Sequence, residues 1–305
     1  MLGKLSACEA HAYAKSKQNK VQKNTNKRAE KPGQRLFVDT AGPYNETPGG
    51  TRYWTQTVDD YSSFGWVSFH HHKSKMIDRL GQVVEEGEGL GHKVKFIRAD
   101  NAGENEKPLE DYCKKKGFIL ELTASNTPQL NGRVERRITV NTQQANAQMY
   151  TAQFKQESCE KYWAESVRVA NFLENVTMNS VCSLPPLEMF YGRKVLTMKL
   201  LQPFERIGVV ANRSKIQEKF GAKGTKMIHL GRQAANRPAD TYRFLNIATK
   251  KTCNLQDVTW LDFSRPNPKQ NVSIFVQDPE MMDQGDGIDD NEVPDNVQES
   301  EVQTP

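Results

Sequence analysis

The sequence predicts an α/β protein, in which a mixed five-stranded sheet is flanked by helices and followed by a small β-rich region. Three adjacent strand-like segments come first, and helix and strand signals then alternate, which is typical of a mixed sheet covered by helices. Residues 203–263 carry only short apolar stretches between polar segments. The length of 305 residues is sufficient to bury a core of this kind.

The first three strands are predicted from short segments that end in turn signals. Leu36–Thr40 is an apolar run followed by the turn pair Gly42-Pro43. Tyr53–Asp59 and Trp66–His71 alternate aromatic and β-branched residues, and Ser62-Ser63 separates them. Segments this close along the chain predict a meander of adjacent strands.

Helix and strand signals alternate in the next part of the chain. Gly117 is the expected stop of the second helix. A loop with Pro128 then leads into a third helix, and a fourth helix carries apolar residues at helical spacing, so we expect it to pack on the core. The predicted elements, in order, are a helix over Met76–Leu90, a strand over Val94–Ala99, a helix over Lys107–Lys116, a strand over Ile119–Leu122, and helices over Arg133–Tyr150 and Glu160–Val176.

The β-rich region is predicted from four short apolar stretches separated by Gly, Asn, Lys and Asp. These are Ile207–Ala211, Met227–Leu230, Tyr242–Leu245 and Val258–Leu261.

The charge of the chain is unevenly distributed. The net charge is +5, but residues 1–35 hold nine Lys and Arg against two acids, and residues 277–305 hold ten acids and no Lys or Arg. A basic body with an acidic tail favours a polyanionic partner, and nucleic acid is the first candidate. The alternative for each end is a solvated linker. No apolar run approaches the roughly 18–20 residues of a membrane span, so no membrane partner is expected.

The cysteines and the N-terminus indicate a reducing compartment. Five widely spaced cysteines contain no CxxC pair, so a disulfide framework is not expected. The N-terminus lacks the apolar segment of a secretory signal. Its basic stretch over Lys15–Arg28 fits either a nuclear import signal or a nucleic-acid-binding arm.

Three carboxylates are the candidate catalytic and metal-binding residues. Asp39 and Asp100 stand at strand ends, and Glu135 lies near the start of a predicted helix beside its apolar stripe. Converging carboxylates raise one another's pKa and persist where a hard cation neutralises them. Two Mg²⁺ ions could then assist an in-line displacement at phosphorus. The alternative is that each strand-end Asp is an ordinary turn or cap residue.

Eight sequence blocks resemble the integrase region of a copia-type LTR retrotransposon polyprotein, in the same order and over roughly residues 1–265. The step of 35 residues from Asp100 to Glu135 adds to their specificity. The blocks are Leu36–Pro43, Val58–Ser62, Arg98–Glu104, Thr127–Arg136, Trp163–Glu165, Pro185–Gly192, Tyr242–Leu245 and Asp257–Leu261.

The resemblance implies a ribonuclease-H-like fold and a DDE metal triad made of Asp39, Asp100 and Glu135. It implies two Mg²⁺ or Mn²⁺ ions, 3′-end processing, and strand transfer of element DNA into target DNA. It also implies work in the nucleus as a homo-multimer on double-stranded DNA. By the same resemblance, Gln129 and Asn131 approach the DNA end.

Three arginines near the start of the catalytic helix are candidate phosphate contacts. Arg133, Arg136 and Arg137 lie beside the expected metal site. A solvated basic face is the alternative.

The resemblance divides the chain into four parts. Residues 1–31 are a basic remnant of the family's zinc module, 32–198 the catalytic core, 199–265 a small DNA-binding-like domain and 266–305 an acidic disordered tail. Of the zinc ligands, only Cys8 and His11 are present, and two ligands cannot close a tetrahedral site, so zinc binding is not expected. We therefore expect a fragment of a longer polyprotein.

The sequence departs from the family pattern after the second aspartate. Ala102 stands where the family usually has glycine, and its Cβ atom adds strain if the backbone adopts a positive φ there. The alternatives to an active integrase are an inactive DNA-binding remnant and a ribonuclease H.

Two further groups of residues have structural explanations. Asp59-Asp60 is expected to be a structural turn rather than a source of a fourth metal ligand. His70–His72 could suggest a metal site, but successive side chains of a strand face opposite sides and cannot all reach one ion. We therefore expect these residues to be a surface strand end.

Overall fold

The computed structural model describes residues 28–100, 106–122, 131–152, 156–179, 182–194, 201–212, 222–232 and 241–261. The predictions for Cys8, His11, Ala102, Gln129 and the acidic tail lie outside these residues.

The first sheet has five strands in the order β3-β2-β1-β4-β5. Strands β1, β2 and β3 form an antiparallel meander, whereas β4 runs parallel to β1 and β5 parallel to β4. The predicted mixed sheet, which matches the ribonuclease-H-like class, is therefore confirmed. The strands are β1 (Arg35–Ala41), β2 (Tyr53–Asp59), β3 (Gly65–His70), β4 (Phe96–Ala99) and β5 (Ile119–Leu122).

Helices cover both faces of this sheet because both faces of its central strand are apolar. Leu36 and Val38 of β1 pack with the helices that precede and follow β4. Phe37 points the other way and packs against Val134 of the long helix that begins at Gly132. The helices are α1 (Met76–Gly89), α2 (Glu106–Lys116), α3 (Gly132–Thr151), α4 (Gln156–Val176) and α5 (Pro186–Tyr191).

The predicted helices form at the expected places, with two differences. Helix α4 begins at Gln156 rather than Glu160, and the short helix α5 was not predicted. Gly117 follows α2 with φ of +75°, a conformation that glycine adopts without the strain that a Cβ atom brings, so the predicted helix stop is confirmed.

The β-rich region forms a second antiparallel sheet in the order β10-β6-β7-β8-β9. Its core contains Val210, Met227 and Phe244, with Trp260 packed against them. The four predicted stretches fall on β6, β7, β8 and β10, and β9 was not predicted. The strands are β6 (Ile207–Ala211), β7 (Gly224–Arg232), β8 (Tyr242–Asn246), β9 (Thr252–Leu255) and β10 (Val258–Trp260).

None of the helices in the described ranges combines the length and the apolar character that crossing a membrane requires.

Candidate active site

The parallel pairing of β1 with β4 brings Asp39 and Asp100 side by side. Val38 is in register with Ala99, so each aspartate is the next residue along its strand. Neighbouring strands lie about 4.8 Å apart, which makes these two residues neighbours at one edge of the sheet. The sequence predicted this meeting, because residues at the carboxyl ends of adjacent parallel strands share a cleft.

Asp39 and Asp100 line one pocket. Thr40, Lys73 and Glu106 contribute the other polar side chains. Apolar side chains from β1, β4, α1 and α2 complete the wall: Val38, Met76, Ala99 and Leu109. The pocket therefore brings together the half-buried carboxylate of Asp39 and the exposed carboxylate of Asp100.

The environment of Asp39 favours its neutral form. Burial raises the pKa of Asp39, and the negative charge of Asp100 raises it further. Two contacts act in the opposite direction: the Thr40 N–H donates to Oδ1 at 2.7 Å, and the positive charge of Lys73 lowers the pKa. A site that resists ionisation of its own carboxylate gains most from a bound cation.

Glu135 lies in the first turn of α3 and is half-buried. Burial raises the pKa of Glu135, and the charges of Asp39 and Asp100 raise it further. The three predicted ligands are thus within electrostatic reach of one another. Glu135 does not, however, line the pocket that holds the two aspartates.

The donor chemistry at this place fits a hard divalent cation, since Mg²⁺ and Mn²⁺ prefer carboxylate oxygens. Within the described ranges, no three His, Cys, Asp or Glu side chains converge closely enough to hold a metal ion. Asp39 and Asp100 are the pair that the structure places together, and the shared role of the trio stays a prediction.

The first turn of α3 is fastened to the turn that follows β2. Arg133 Nη1 lies 3.0 Å from Asp60 Oδ1 and also donates to the Asp60 carbonyl oxygen at 3.0 Å. Because its guanidinium is held there, the predicted phosphate contact through Arg133 remains only a prediction.

Arg137 does not fit its predicted role as a DNA contact. Its side chain is 8% exposed and its guanidinium donates to Glu174 at 3.0 Å, to the Ser63 carbonyl oxygen at 2.7 Å and to Asn175 at 3.1 Å. The expectation was wrong because one helical step turns Arg137 toward α4, while the preceding Arg136 is exposed. Arg136 remains a predicted phosphate contact.

Asn131 is fully buried directly before α3. Neither its amide nitrogen nor its amide oxygen has a hydrogen-bond partner among the described residues. A buried amide without a partner carries a desolvation cost, so it is available to a ligand or to a further part of the chain. Its predicted approach to DNA stays a prediction.

Asp59 and Asp60 form the structural turn that the sequence predicted. Asp59 accepts the N–H of Gly33 at 2.8 Å, the N–H of Ser62 at 2.8 Å and the Ser62 hydroxyl at 2.6 Å. Asp60 accepts from Arg35 at 3.2 Å as well as from Arg133. Both carboxylates are thereby committed to the turn.

The histidine run differs from its expected surface position. His71 and His72 are exposed, but His70 is buried and its ring bonds to the Thr55 hydroxyl and to the His72 carbonyl oxygen. The prediction was wrong for His70, because its strand position faces polar side chains of the sheet rather than solvent.

Two pocket residues, Lys73 and Glu106, were not singled out from the sequence. Lys73 follows the third strand, and Glu106 opens α2. No local pattern distinguishes them from surface charges, because only the packing of separate elements around the strand ends places them in the pocket.

The sequence is similar to the retrovirus-related Pol polyprotein from transposon TNT 1-94 of Nicotiana tabacum. The two are 31% identical over 147 residues, which is 46% of this chain and 10% of the relative. The chain therefore spans about a tenth of the length of the curated relative it matches. It matches no protein-family model.

Three solved structures are similar in fold. A chain of the simian T-cell lymphotropic virus intasome in complex with PP2A regulatory subunit B56 gamma has a TM-score of 0.45 and 11% identity, covering 85% of this chain and 89% of that chain. The catalytic core domain of BIV integrase has a TM-score of 0.39 and 15% identity, covering 52% of this chain and 95% of that chain. The HTLV-2 integrase catalytic core domain in complex with magnesium has a TM-score of 0.38 and 15% identity, covering 53% of this chain and 99% of that chain.

The similarity to the transposon polyprotein agrees with the resemblance of the sequence blocks to a copia-type retrotransposon polyprotein, and the observed sheet order agrees with the predicted mixed sheet.

Proposed function

We propose that this chain is a retrotransposon integrase that processes and joins DNA ends in a metal-dependent reaction. The observation that supports this most directly is the position of Asp39 and Asp100, each one residue past the paired Val38 and Ala99 of β1 and β4, in one pocket. Oxygen ligands at such a position suit displacement at phosphorus, which is the chemistry shared by end processing and strand transfer.

The proposed ligands of the divalent cations are Asp39, Asp100 and Glu135. Bound Mg²⁺ or Mn²⁺ would activate the attacking oxygen and stabilise the leaving oxygen. The chain's own part is to hold these carboxylates on rigid elements, because β1 and β4 are paired in the sheet and α3 is anchored through Arg133 and Arg137. In processing, the nucleophile is water. In joining, it is the freed 3′-hydroxyl.

The proposed partners are the double-stranded ends of the element and the target DNA. The excess of Lys and Arg outside the acidic tail supports binding to a polyanion. Exposed Arg136, next to Glu135, is suited to a phosphate near the carboxylates. We propose further that the protein acts in the nucleus as a homo-multimer.

The test is a joining assay with purified chain, Mn²⁺ and a labelled duplex that carries an element end. We expect cleavage or joining by the unaltered chain. Asp100→Asn should remove that activity and leave duplex binding nearly unchanged, while the control Asp111→Asn, at an exposed position of α2, should keep both. Equal activity in Asp100→Asn would reject the proposed site. An RNA–DNA hybrid as second substrate separates this function from a ribonuclease H.

A non-catalytic DNA-binding remnant is the second candidate. Ala102, at a position where the resembling family usually has glycine, favours it. It predicts duplex binding that weakens steeply with salt and no metal-dependent cleavage of any substrate.

A further inference from the structure

The pocket that holds Asp39 and Asp100 also contains a cation. Of the described residues that line it, Lys73 carries the positive charge. Lys73 begins the short 3₁₀ turn Lys73–Lys75, which follows β3 and leads into α1. Lys73 thus comes from a third segment of the chain, which follows β3 and is separate from the segments that carry Asp39 and Asp100.

The local backbone separates Lys73 from its neighbour Lys75. The Lys75 N–H donates to the His72 carbonyl oxygen at 3.0 Å, which closes the turn. Lys73 is half-buried in the pocket wall. The side chain of Lys75 is 60% exposed and pairs with Asp78 at 3.1 Å in solvent. The two lysines therefore share sequence context and turn, but only the first faces the carboxylates.

The charge of Lys73 acts on the carboxylate of Asp39. It opposes both burial and Asp100 in setting the pKa of Asp39. A DNA strand that enters this pocket brings a phosphate, which meets the negative charges of Asp39, Asp100 and Glu106. A lysine ammonium is a compact charge with three donors on a flexible stem, so it can turn from a carboxylate to a phosphate oxygen.

We propose that Lys73 binds a phosphate of the DNA strand that enters the Asp39–Asp100 pocket. Before DNA binds, the positive charge of Lys73 interacts with the carboxylate of Asp39. This inference rests on the proposed function. Lys73 is a phosphate-binding residue in addition to the three predicted carboxylates and the arginines of α3.

The test compares Lys73→Gln with the matched variant Lys75→Gln in the full chain. The first measurement is the salt dependence of duplex binding in a chelator. Each lost phosphate contact makes the slope of log K against log salt shallower by about 0.9. We expect this slope to become shallower in Lys73→Gln by more than in Lys75→Gln. We expect Lys73→Arg to keep the original slope, because it retains the charge.

The second measurement is Mn²⁺ binding without DNA. Removing a positive charge beside the aspartates should tighten Mn²⁺ binding in Lys73→Gln by about threefold or more, since like charges repel at short range. Lys75→Gln should bind Mn²⁺ as the unaltered chain does. A purely structural role for Lys73 would not tighten metal binding.

The proposal is overturned if Lys73→Gln gives the same salt slope as Lys75→Gln, if Lys73→Arg loses the slope as Lys73→Gln does, or if Mn²⁺ binding does not tighten. Thermal melting of all three variants verifies that they fold, and Lys73→Arg tests the charge in a variant of similar size. An unaltered chain that binds neither duplex nor Mn²⁺ would instead overturn the proposed function. Duplex binding that is independent of Lys73 overturns this inference alone.

Discussion

Arg133 of α3 and Asp60 of the β2–β3 turn form an ion pair with 3.0 Å between Nη1 and Oδ1. The Asp60 side chain is 4% exposed, whereas that of Arg133 is 36% exposed. Glu135 stands two residues after Arg133, so this pair fixes the helical turn that carries the third predicted ligand. The position of Glu135 relative to the sheet therefore depends on an acid that has no part in the chemistry.

Replacing that acid should lower stability. Asp60→Asn keeps the shape of the side chain but removes the buried carboxylate that Arg35 and Arg133 share, so Arg35 retains only Glu121 as a counter-charge. We expect the free energy of unfolding to fall by about 3 kcal/mol in urea denaturation. Asp78→Asn removes an exposed ion pair with Lys75 and should change the free energy of unfolding by less than about 0.5 kcal/mol. Equal effects of the two variants would show that the buried pair has no special weight.

Substitutions of Arg136 and Arg137 should affect different properties of the chain. The change at Arg136 should lower DNA affinity, and the change at Arg137 should lower stability. Arg137→Met leaves the Glu174 carboxylate and the Ser63 carbonyl oxygen without their donor and should cost about 3 kcal/mol of unfolding free energy. Arg136→Met should leave stability within about 0.5 kcal/mol of the unaltered chain and weaken duplex binding. Denaturation and fluorescence anisotropy measure the two effects. A stable Arg137→Met variant would contradict the role assigned to its buried contacts.

Gly65 is expected to tolerate no side chain. A Cβ atom there would lie 2.8 Å from Asn171 Oδ1, 2.8 Å from Gln56 Nε2 and 3.0 Å from Arg137 Nε. Gly65→Ala should therefore destabilise the chain by about 1–3 kcal/mol, because three hydrogen-bonded groups must move.

Gly81 of α1 is the matched control for Gly65. Its Cβ would meet the Tyr112 hydroxyl at 3.8 Å, an ordinary contact. Gly81→Ala should stabilise the chain by about 0.5–1 kcal/mol through higher helix propensity. Both changes are measured by denaturant unfolding, and a stabilising Gly65→Ala would show that the interior at this point is loosely packed.

Glu205 should make stability depend on pH. Burial raises its pKa from 4.5 to about 8 in the folded chain. Between pH 4.5 and 8 the unfolded chain has lost this proton while the folded chain retains it, so the contribution of Glu205 to stability falls as pH rises through this window. Above about pH 8 the loss is complete.

The variant Glu205→Gln removes this dependence. Its melting temperature should exceed that of the unaltered chain at pH 8.5 by more than at pH 5. Glu85→Gln, at an exposed position of α1, should differ from the unaltered chain in melting temperature by the same small amount at both pH values. A difference for Glu205→Gln that does not grow with pH would contradict the raised pKa.

The sequence was sufficient for elements whose periodicity is strong and local. Strands β2 and β5 and helix α3 formed where apolar spacing, turn pairs and a glycine stop predicted them. Strand β9 was missed because Thr252–Leu255 alternates exposed with half-buried residues and has no apolar run. Its partner β8 supplies the pairing that the local pattern does not show.

The site was predictable where the sheet itself determines it. Asp39 and Asp100 meet because β1 and β4 run parallel and each aspartate follows directly after the paired residues Val38 and Ala99. The error for Arg137 has a different origin: its partner Glu174 is 37 residues away on α4, and no local pattern reveals which arginine of a basic helix turns inward. Lys73 was missed for the same reason, since the pocket is assembled from segments that are distant along the chain.

The most direct test of the account is calorimetric titration of Mn²⁺ into the DNA-free chain and into Asp39→Asn, Asp100→Asn and Glu135→Gln, with Asp111→Asn as an exposed control. If the three carboxylates share divalent cations, each of the first three changes should weaken binding about tenfold or more, and the control should not. Binding by Glu135→Gln as tight as that of the unaltered chain would contradict the triad.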